Sequence, residues 1–314
     1  MRNISPTSLG LLCVIGGIAI FSLQDVVLKS ISGAYPLHQA MVLRSLTAIP
    51  CLLLFVRIFD GPLSTLFAPG WWKLLARGAL NFSAYCLYYL GLASMPMGEV
   101  VAINFVGPLV ITLAAWVMLG ERVAPRALVA IFFGFSGVLM IVRPGAETFQ
   151  PAALLPMCGA SCYAISMVMT RKWAGVGSAA SMAVWSNSCF MVLALILSAM
   201  FWQGSSGKGL HPAMAFLTRG WAMPPALDLI LMLSCGVVAS IGMVLLNYAY
   251  RIAPSGAIAP MEYSYMFWAL LWGWSFFGEV PDTAGLLGML IIVGAGLFVL
   301  RQPPLPTIAP KPAA

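Results

Sequence analysis

Between residues 9 and 300 the chain is an almost unbroken series of apolar runs, each long enough to cross a lipid bilayer. About 20 residues at a rise of ~1.5 Å span a hydrocarbon core of roughly 30 Å, so a run of about 18 or more reads as a membrane helix. Composition agrees: 61% of the 314 residues are hydrophobic and 8% charged, where a soluble domain is about a quarter charged. Mean hydropathy is +0.96. The expected fold class is therefore an all-α integral membrane protein.

Ten spans are expected, at roughly 9–31, 37–59, 73–94, 97–119, 125–142, 151–171, 179–202, 227–250, 255–277 and 284–300. The first is too long for a signal-peptide core and lacks a small-residue cleavage site, so it reads as a mature helix. Spans three and four are separated only by Met95-Pro96-Met97, and spans eight and nine only by Ile252-Ala253-Pro254. Connections this short make antiparallel neighbours. The longest loop covers about 203–226, and its AMAFLTRGWAM portion is expected along the membrane interface. The proline-rich tail, 303–314, is expected to be a disordered cytoplasmic segment.

The chain also repeats itself. Sliding Gly91–Pro144 onto Ala249–Gln302 by 158 positions (254 − 96) needs no gap. That shift aligns Pro96 with Pro254, Gly98 with Gly256, Trp116 with Trp274, Gly120-Glu121 with Gly278-Glu279, and Arg143 with Arg301. The order of these marks, more than their number, indicates an internal duplication. Five spans per half is an odd number, so the second half crosses the membrane in the opposite sense. Inverted repeats of this kind recur in transporters, with the substrate near the midplane where the halves meet.

Basic residues set the orientation. With the N-terminus inside, the cytoplasmic segments and helix ends collect Arg2, Arg57, Lys73, Arg77, Arg122, Arg126, Arg171, Lys172, Arg251, Arg301 and Lys311. The outer side keeps Lys29, Arg143, Lys208 and Arg219, while Arg44 lies within a span. Both termini are expected in the cytoplasm of a multi-pass protein of the inner (plasma) membrane. The net charge of +7 then needs no nucleic acid to explain it.

The repeated Pro-x-Gly entry, the apolar span ending in Leu119-Gly120-Glu121 or Phe277-Gly278-Glu279, and the closing Gly-rich helix resemble the EamA repeat of the drug/metabolite transporter superfamily. The first helix of each half agrees, GIAIFSLQDVVLK ending in Lys29 and GASCYAISMVMTRK ending in Arg171-Lys172. The resemblance covers about 9–302. It implies ten transmembrane helices as two inverted five-helix repeats, 9–144 and 151–302, around a central cavity for small organic molecules. Within the superfamily, the Asp25, Lys29 and Arg44 arrangement resembles carriers of larger metabolites such as S-adenosylmethionine or riboflavin.

An ionisable group inside a span costs about 2.5–3.5 kcal/mol on insertion scales, so Asp25, Arg44 and Glu262 are the leading candidate substrate-binding residues. Tyr85, Asn104, Tyr163, Asn247 and Tyr263 join them as polar groups within spans, with Gln24, Asn81, Tyr88, Asn187 and Tyr248 behind. The repeat shift places Glu262 on Asn104 (262 − 158). Asp25 and Arg44 match in depth, roughly 10 Å from one face, and are expected to form an ion pair; the alternative is that each snorkels separately. Glu262 is expected to bind ligand or a coupling proton; the alternative is a carboxyl that only packs the halves together.

Other polar residues read as structural. Glu121 and Glu279 are expected to close turns or bond helix amides, and Glu99 to cap span four or meet the cavity. Trp268 and Trp272 are expected against lipid or neighbouring helices. The seven cysteines lie in apolar spans and the two histidines, His38 and His211, near loops; no metal site, cofactor or disulfide framework is expected. No Gly-rich phosphate loop followed by Lys-Ser/Thr occurs, so ATP is not expected to act directly. The expected function is a secondary active transporter, not an enzyme. It would move an amino-acid-like, nucleoside-like or heteroaromatic solute by alternating access, as a monomer. A lipid-handling flippase and a non-transporting structural membrane subunit are the alternatives.

Overall fold

Apolar runs that cannot hydrogen-bond to lipid satisfy their backbone by coiling, and the described residues are almost wholly helical. The computed structural model describes residues 5–120, 125–142, 151–204, 210–253 and 258–300. The first half holds α1 (Pro6–Ile31), α2 (Leu37–Phe55), α3 (Trp72–Leu92), α4 (Met97–Asn104), α5 (Val106–Leu119) and α6 (Pro125–Val142). The second holds α7 (Leu154–Lys172), α8 (Ala179–Met200), α9 (Pro212–Thr218), α10 (Ala226–Ile252), α11 (Tyr265–Phe277) and α12 (Thr283–Leu300). A wider π-type coil, Val56–Asp60, extends α2, and a 3₁₀ segment, Ala259–Ser264, leads into α11. Helix thus occupies each of the ten expected stretches. Among the described residues, six helical stretches are both long and apolar enough to cross a membrane.

Contacts between the halves are reciprocal. α1 packs along α10 and α3 along α7, while α2 lies on α8 and α6 on α12. Small residues permit the closest crossings, as is usual where helices meet without a hydrophobic driving force. A Cβ on Gly137 or on Gly288 would stand 2.7 Å from the other's carbonyl oxygen, so α6 and α12 meet glycine to glycine. At Gly236 on α10, a Cβ would overlap Thr47 Oγ1 and the Arg44 carbonyl of α2. Gly120 and Gly278 end α5 and α11 with φ of +68° and +64°, the left-handed conformation that glycine adopts without a Cβ penalty. They are the glycines of the two Gly-Glu turns. Glu121 and the tail from 303 lie outside the described residues.

The long loop between α8 and α10 is anchored to the first half. The segment after α8 forms the short helix α9 and is tied down onto the α1–α2 turn. Arg219 donates to the Ser32 and Tyr35 carbonyls at 2.9 and 3.2 Å, and Gln39 exchanges hydrogen bonds with the Ala222 backbone. His38, expected near a loop, is fully buried between Ser198, the Arg219 carbonyl and Trp221. Polar side chains that cannot reach water recruit the loop that covers them.

Candidate functional site

Helix geometry changes at repeat-equivalent positions in the fourth span of each half. In the first half α4 stops at Asn104 and α5 restarts at Val106, with Phe105 (φ −70°, ψ 1°) between them. Pro108 explains the break, because it supplies no N–H to the carbonyl four residues earlier, that of Asn104. In the second half the 3₁₀ segment containing Pro260 and Glu262 precedes α11. Glu262 and Asn104, aligned by the repeat, therefore flank two helix breaks. Interrupted helices at the seam of two halves are a common way for membrane transporters to present polar groups to a solute.

A cavity of about 110 Å³ lies between these breaks. One face of α1 contributes Ile18, Phe21 and Asp25, spaced three and four residues apart as a helical stripe requires. α3 contributes Ala84, Tyr85, Tyr88 and Tyr89, and the first break Asn104 and Phe105. The second half adds Gly159 and Tyr163 from α7, Leu246 from α10, Glu262 and Tyr265.

Each of the two carboxyl groups is held by a pair of tyrosines. Tyr88 donates to Asp25 Oδ2 at 3.0 Å and Tyr89 to Oδ1 at 2.9 Å. Tyr163 and Tyr250 both donate to Glu262 Oε1, at 3.0 and 2.5 Å. The Tyr88 and Tyr265 hydroxyls are 3.0 Å apart, a contact from the Asp25 cluster to α11 of the second half. Tyrosine suits this role because its hydroxyl reaches a polar partner while its ring keeps the wall apolar.

Arg44 stands behind this wall rather than on it. Sequence depth had suggested an Asp25–Arg44 ion pair, and the structure corrects this: no such bridge forms, because both Asp25 oxygens already face tyrosines. Arg44 Nε instead donates to Gln24 Oε1 at 3.0 Å, Gln24 Nε2 to the Tyr89 hydroxyl at 2.5 Å, and Tyr89 to Asp25. The guanidinium and the carboxyl thus communicate through a three-bond relay. Tyr85 and Phe190 face the guanidinium at 5.4 and 5.0 Å, a favourable placement for a desolvated cation.

A second buried cation lies on α3. Arg77, assigned to a cytoplasmic helix end, is only 1% exposed. It donates to Thr170 Oγ1 (2.6 Å), Asn247 Oδ1 (2.7 Å), Ser186 Oγ (2.8 Å) and the Ser166 carbonyl (3.3 Å). Asn247 is therefore occupied with Arg77 and, through Nδ2, with the Ala179 carbonyl at 3.2 Å. A buried guanidinium demands several acceptors, and α7, α8 and α10 provide them.

Of the sequence-predicted residues, Asp25, Tyr85, Asn104, Tyr163 and Glu262 converge on the cavity, whereas Arg44 and Asn247 lie behind it. Tyr263 belongs to the 3₁₀ segment, and its side chain lies outside the described ones. Tyr89, Tyr250, Tyr265 and the wall residues Phe21 and Phe105 were not singled out. The spacing of Tyr85, Tyr88 and Tyr89, one turn of α3, was the available signal.

At one end of the molecule a polar clasp joins the halves. Lys29, one turn beyond Asp25 on the same face of α1, pairs with Glu279 Oε1 at 2.6 Å, the one ion pair among the described residues. Glu279 Oε2 accepts from the Met97 amide at 2.8 Å, and Lys29 also donates to the Met95 carbonyl at 3.2 Å. The Lys29 ammonium lies 5.0 Å from the Phe277 ring centroid. Glu279 thus does bond a helix amide, but at the start of α4 rather than in its own turn. Trp272, expected against lipid or neighbouring helices, donates to Ser22 Oγ on α1 at 3.0 Å.

A helical, multi-pass membrane protein with a polar, aromatic cavity at the seam of its halves has the anatomy of a transporter. Known proteins agree. The chain is 29% identical to a riboflavin transporter of Rhizobium johnstonii over 74% of this chain and 70% of that one. It is 25% identical to an S-adenosylmethionine uptake transporter of Rickettsia bellii over 72% and 71%. An uncharacterized transporter of Helicobacter pylori matches at 22% identity over 89% and 90%. One solved crystal structure shares the fold with a TM-score of 0.65 at 18% identity, covering 91% of this chain and 95% of that one. The class is a small-molecule transporter of the membrane, not an enzyme. Residues 8–143 match the EamA-like transporter family.

Proposed function

We propose that this protein is a secondary active carrier of a small organic metabolite, working by alternating access across the inner membrane. The observation that carries the reading is the cavity between the two interrupted fourth spans, walled by side chains from both halves. Ten spans, arranged as inverted repeats over 9–144 and 151–302 with both termini cytoplasmic, are part of the proposal. It is supported by the gapless internal alignment, by the reciprocal packing of α1 with α10 and α3 with α7, and by the basic residues at one face.

In this reading the solute occupies the cavity with its ring against Phe21, Tyr85 and Tyr88. Riboflavin and S-adenosylmethionine, the solutes named for two relatives, are the first candidates. A coupling proton would compete with solute at Glu262, which Tyr163 and Tyr250 hydrogen-bond.

Purified protein in liposomes, given a panel of labelled amino acids, nucleosides, riboflavin and S-adenosylmethionine with and without a pH gradient, tests the function. Concentrative uptake of a panel member that saturates and is lost in Asp25→Asn is the expected result. Lipid scrambling without solute flux would establish the flippase alternative, and neither activity would leave a structural subunit.

A further inference from the structure

Glu262 and Asn104 hold equivalent positions in the two halves, each at its helix break, and both line the cavity. Both also bring unused hydrogen-bonding capacity to it. Glu262 is 9% exposed. Its Oε1 accepts from Tyr163 and Tyr250, but its Oε2 accepts no hydrogen bond among the described residues. No described basic side chain pairs with it. Asp25 differs: both its oxygens are engaged, and Arg44 answers its charge through Gln24 and Tyr89. The other buried guanidinium, Arg77, is turned to Thr170, Ser186 and Asn247. Glu262 is thus the cavity carboxyl without a cation of its own.

A buried carboxylate needs a countercharge, and here the wall offers a free oxygen for a mobile one. The aromatic faces beside it add attraction for a cation and stack on a flat ring. The Asn104 carboxamide makes no hydrogen bond among the described residues. It presents a donor and an acceptor side by side in one plane, the pattern that pairs with a heteroaromatic edge carrying an amino group beside a ring nitrogen.

We propose that the cavity selects solutes that join one positive charge to a planar heteroaromatic ring, the charge resting on Glu262 and the ring edge on Asn104. This deepens, and rests on, the carrier reading above. Neutral rings of the same size bind more weakly because they leave Glu262 Oε2 without a partner.

Equilibrium binding to the purified full-length protein tests the selectivity without requiring transport. The probes are matched pairs: S-adenosylmethionine against its uncharged-sulfur thioether S-adenosylhomocysteine, and 1-methylnicotinamide against nicotinamide. The cation of each pair is expected to bind at least about tenfold tighter. Glu262→Gln should reduce that ratio to about twofold or less, while Asn104→Ala weakens both members together. Equal binding within pairs by the wild-type protein overturns the proposal, whatever the variants do, and so does failure of either cation to bind. Charge-selective binding with no flux in liposomes would instead remove the carrier reading and leave the cation site standing.

Discussion

Breaking the Lys29–Glu279 clasp measures what holds the two halves together at one end. The side chains are 11% and 25% exposed, between a surface pair, at about 0–1 kcal/mol, and a buried one, whose disruption costs about 3–5 kcal/mol. Lys29→Met removes the bonds to Glu279 Oε1 and the Met95 carbonyl but leaves Glu279 on the Met97 amide. Glu279→Gln keeps an acceptor for that amide and discards the charge. One charge-assisted hydrogen bond contributes about 1.5–3 kcal/mol, so a double-mutant cycle should give a coupling of about 1–3 kcal/mol. Thermal unfolding of the detergent-purified protein is the assay. On the scale of large soluble domains, about 2–4 °C per kcal/mol, each single variant should melt several degrees lower. Raising the salt to about 0.5 M should change the coupling little, because partly buried pairs are weakly screened. If the clasp must open during the carrier cycle, both variants will also alter transport rate more than solute affinity. Additive single mutants, with a coupling under about 0.5 kcal/mol, would refute the reasoning.

Gly236→Ala should lower thermal stability by about 1–3 kcal/mol or more, since the new methyl overlaps backbone of α2; Gly16→Ala, with open space at its Cβ, is the control and should melt like wild type. Arg77→Met should cost about 1–3 kcal/mol by stripping the donor from buried Asn247 Oδ1, and an unchanged melting curve would show that the four-acceptor site is not structural. Tyr88→Phe removes donors shared by Asp25 and Tyr265; solute binding should weaken by roughly fivefold, about 1 kcal/mol, and undiminished affinity would take Tyr88 out of the site. Reporter fusions at Thr148 and Gly207 should report the outer side, and at Gly175 and after Arg301 the cytoplasm; cytoplasmic signals at both Thr148 and Gly207 would overturn the inverted arrangement.

The helix breaks show where sequence and structure part. The alignment of Glu262 with Asn104 was legible, and Pro108 and Pro260 stand near them in the sequence. That the breaks face each other across a cavity was not, because it depends on how α4 and α11 pack. Asp25 and Glu262 were found by a local rule, the cost of charge in a span. Arg77 escaped that rule, since five residues from a helix start looks like a place to snorkel. Its acceptors lie up to 170 positions away.

Sequence alone determined that the chain is helical and membrane-embedded, and where most helices start and stop. Those properties follow from the apolar content, prolines and glycines of each short segment. The left-handed Gly120 and Gly278 ends are of this kind. Only the tertiary structure decided which face of each helix looks inward. Helices such as α1 and α12 are apolar on nearly every side, so hydrophobic periodicity carries little information about rotation. What fixes the rotation is polar satisfaction across the seams: Tyr89 with Gln24 and Asp25, Tyr250 with Glu262, Arg77 with Asn247. In lipid a buried polar group has no water to fall back on, so these pairings between distant segments, absent from any local pattern, shape the cavity.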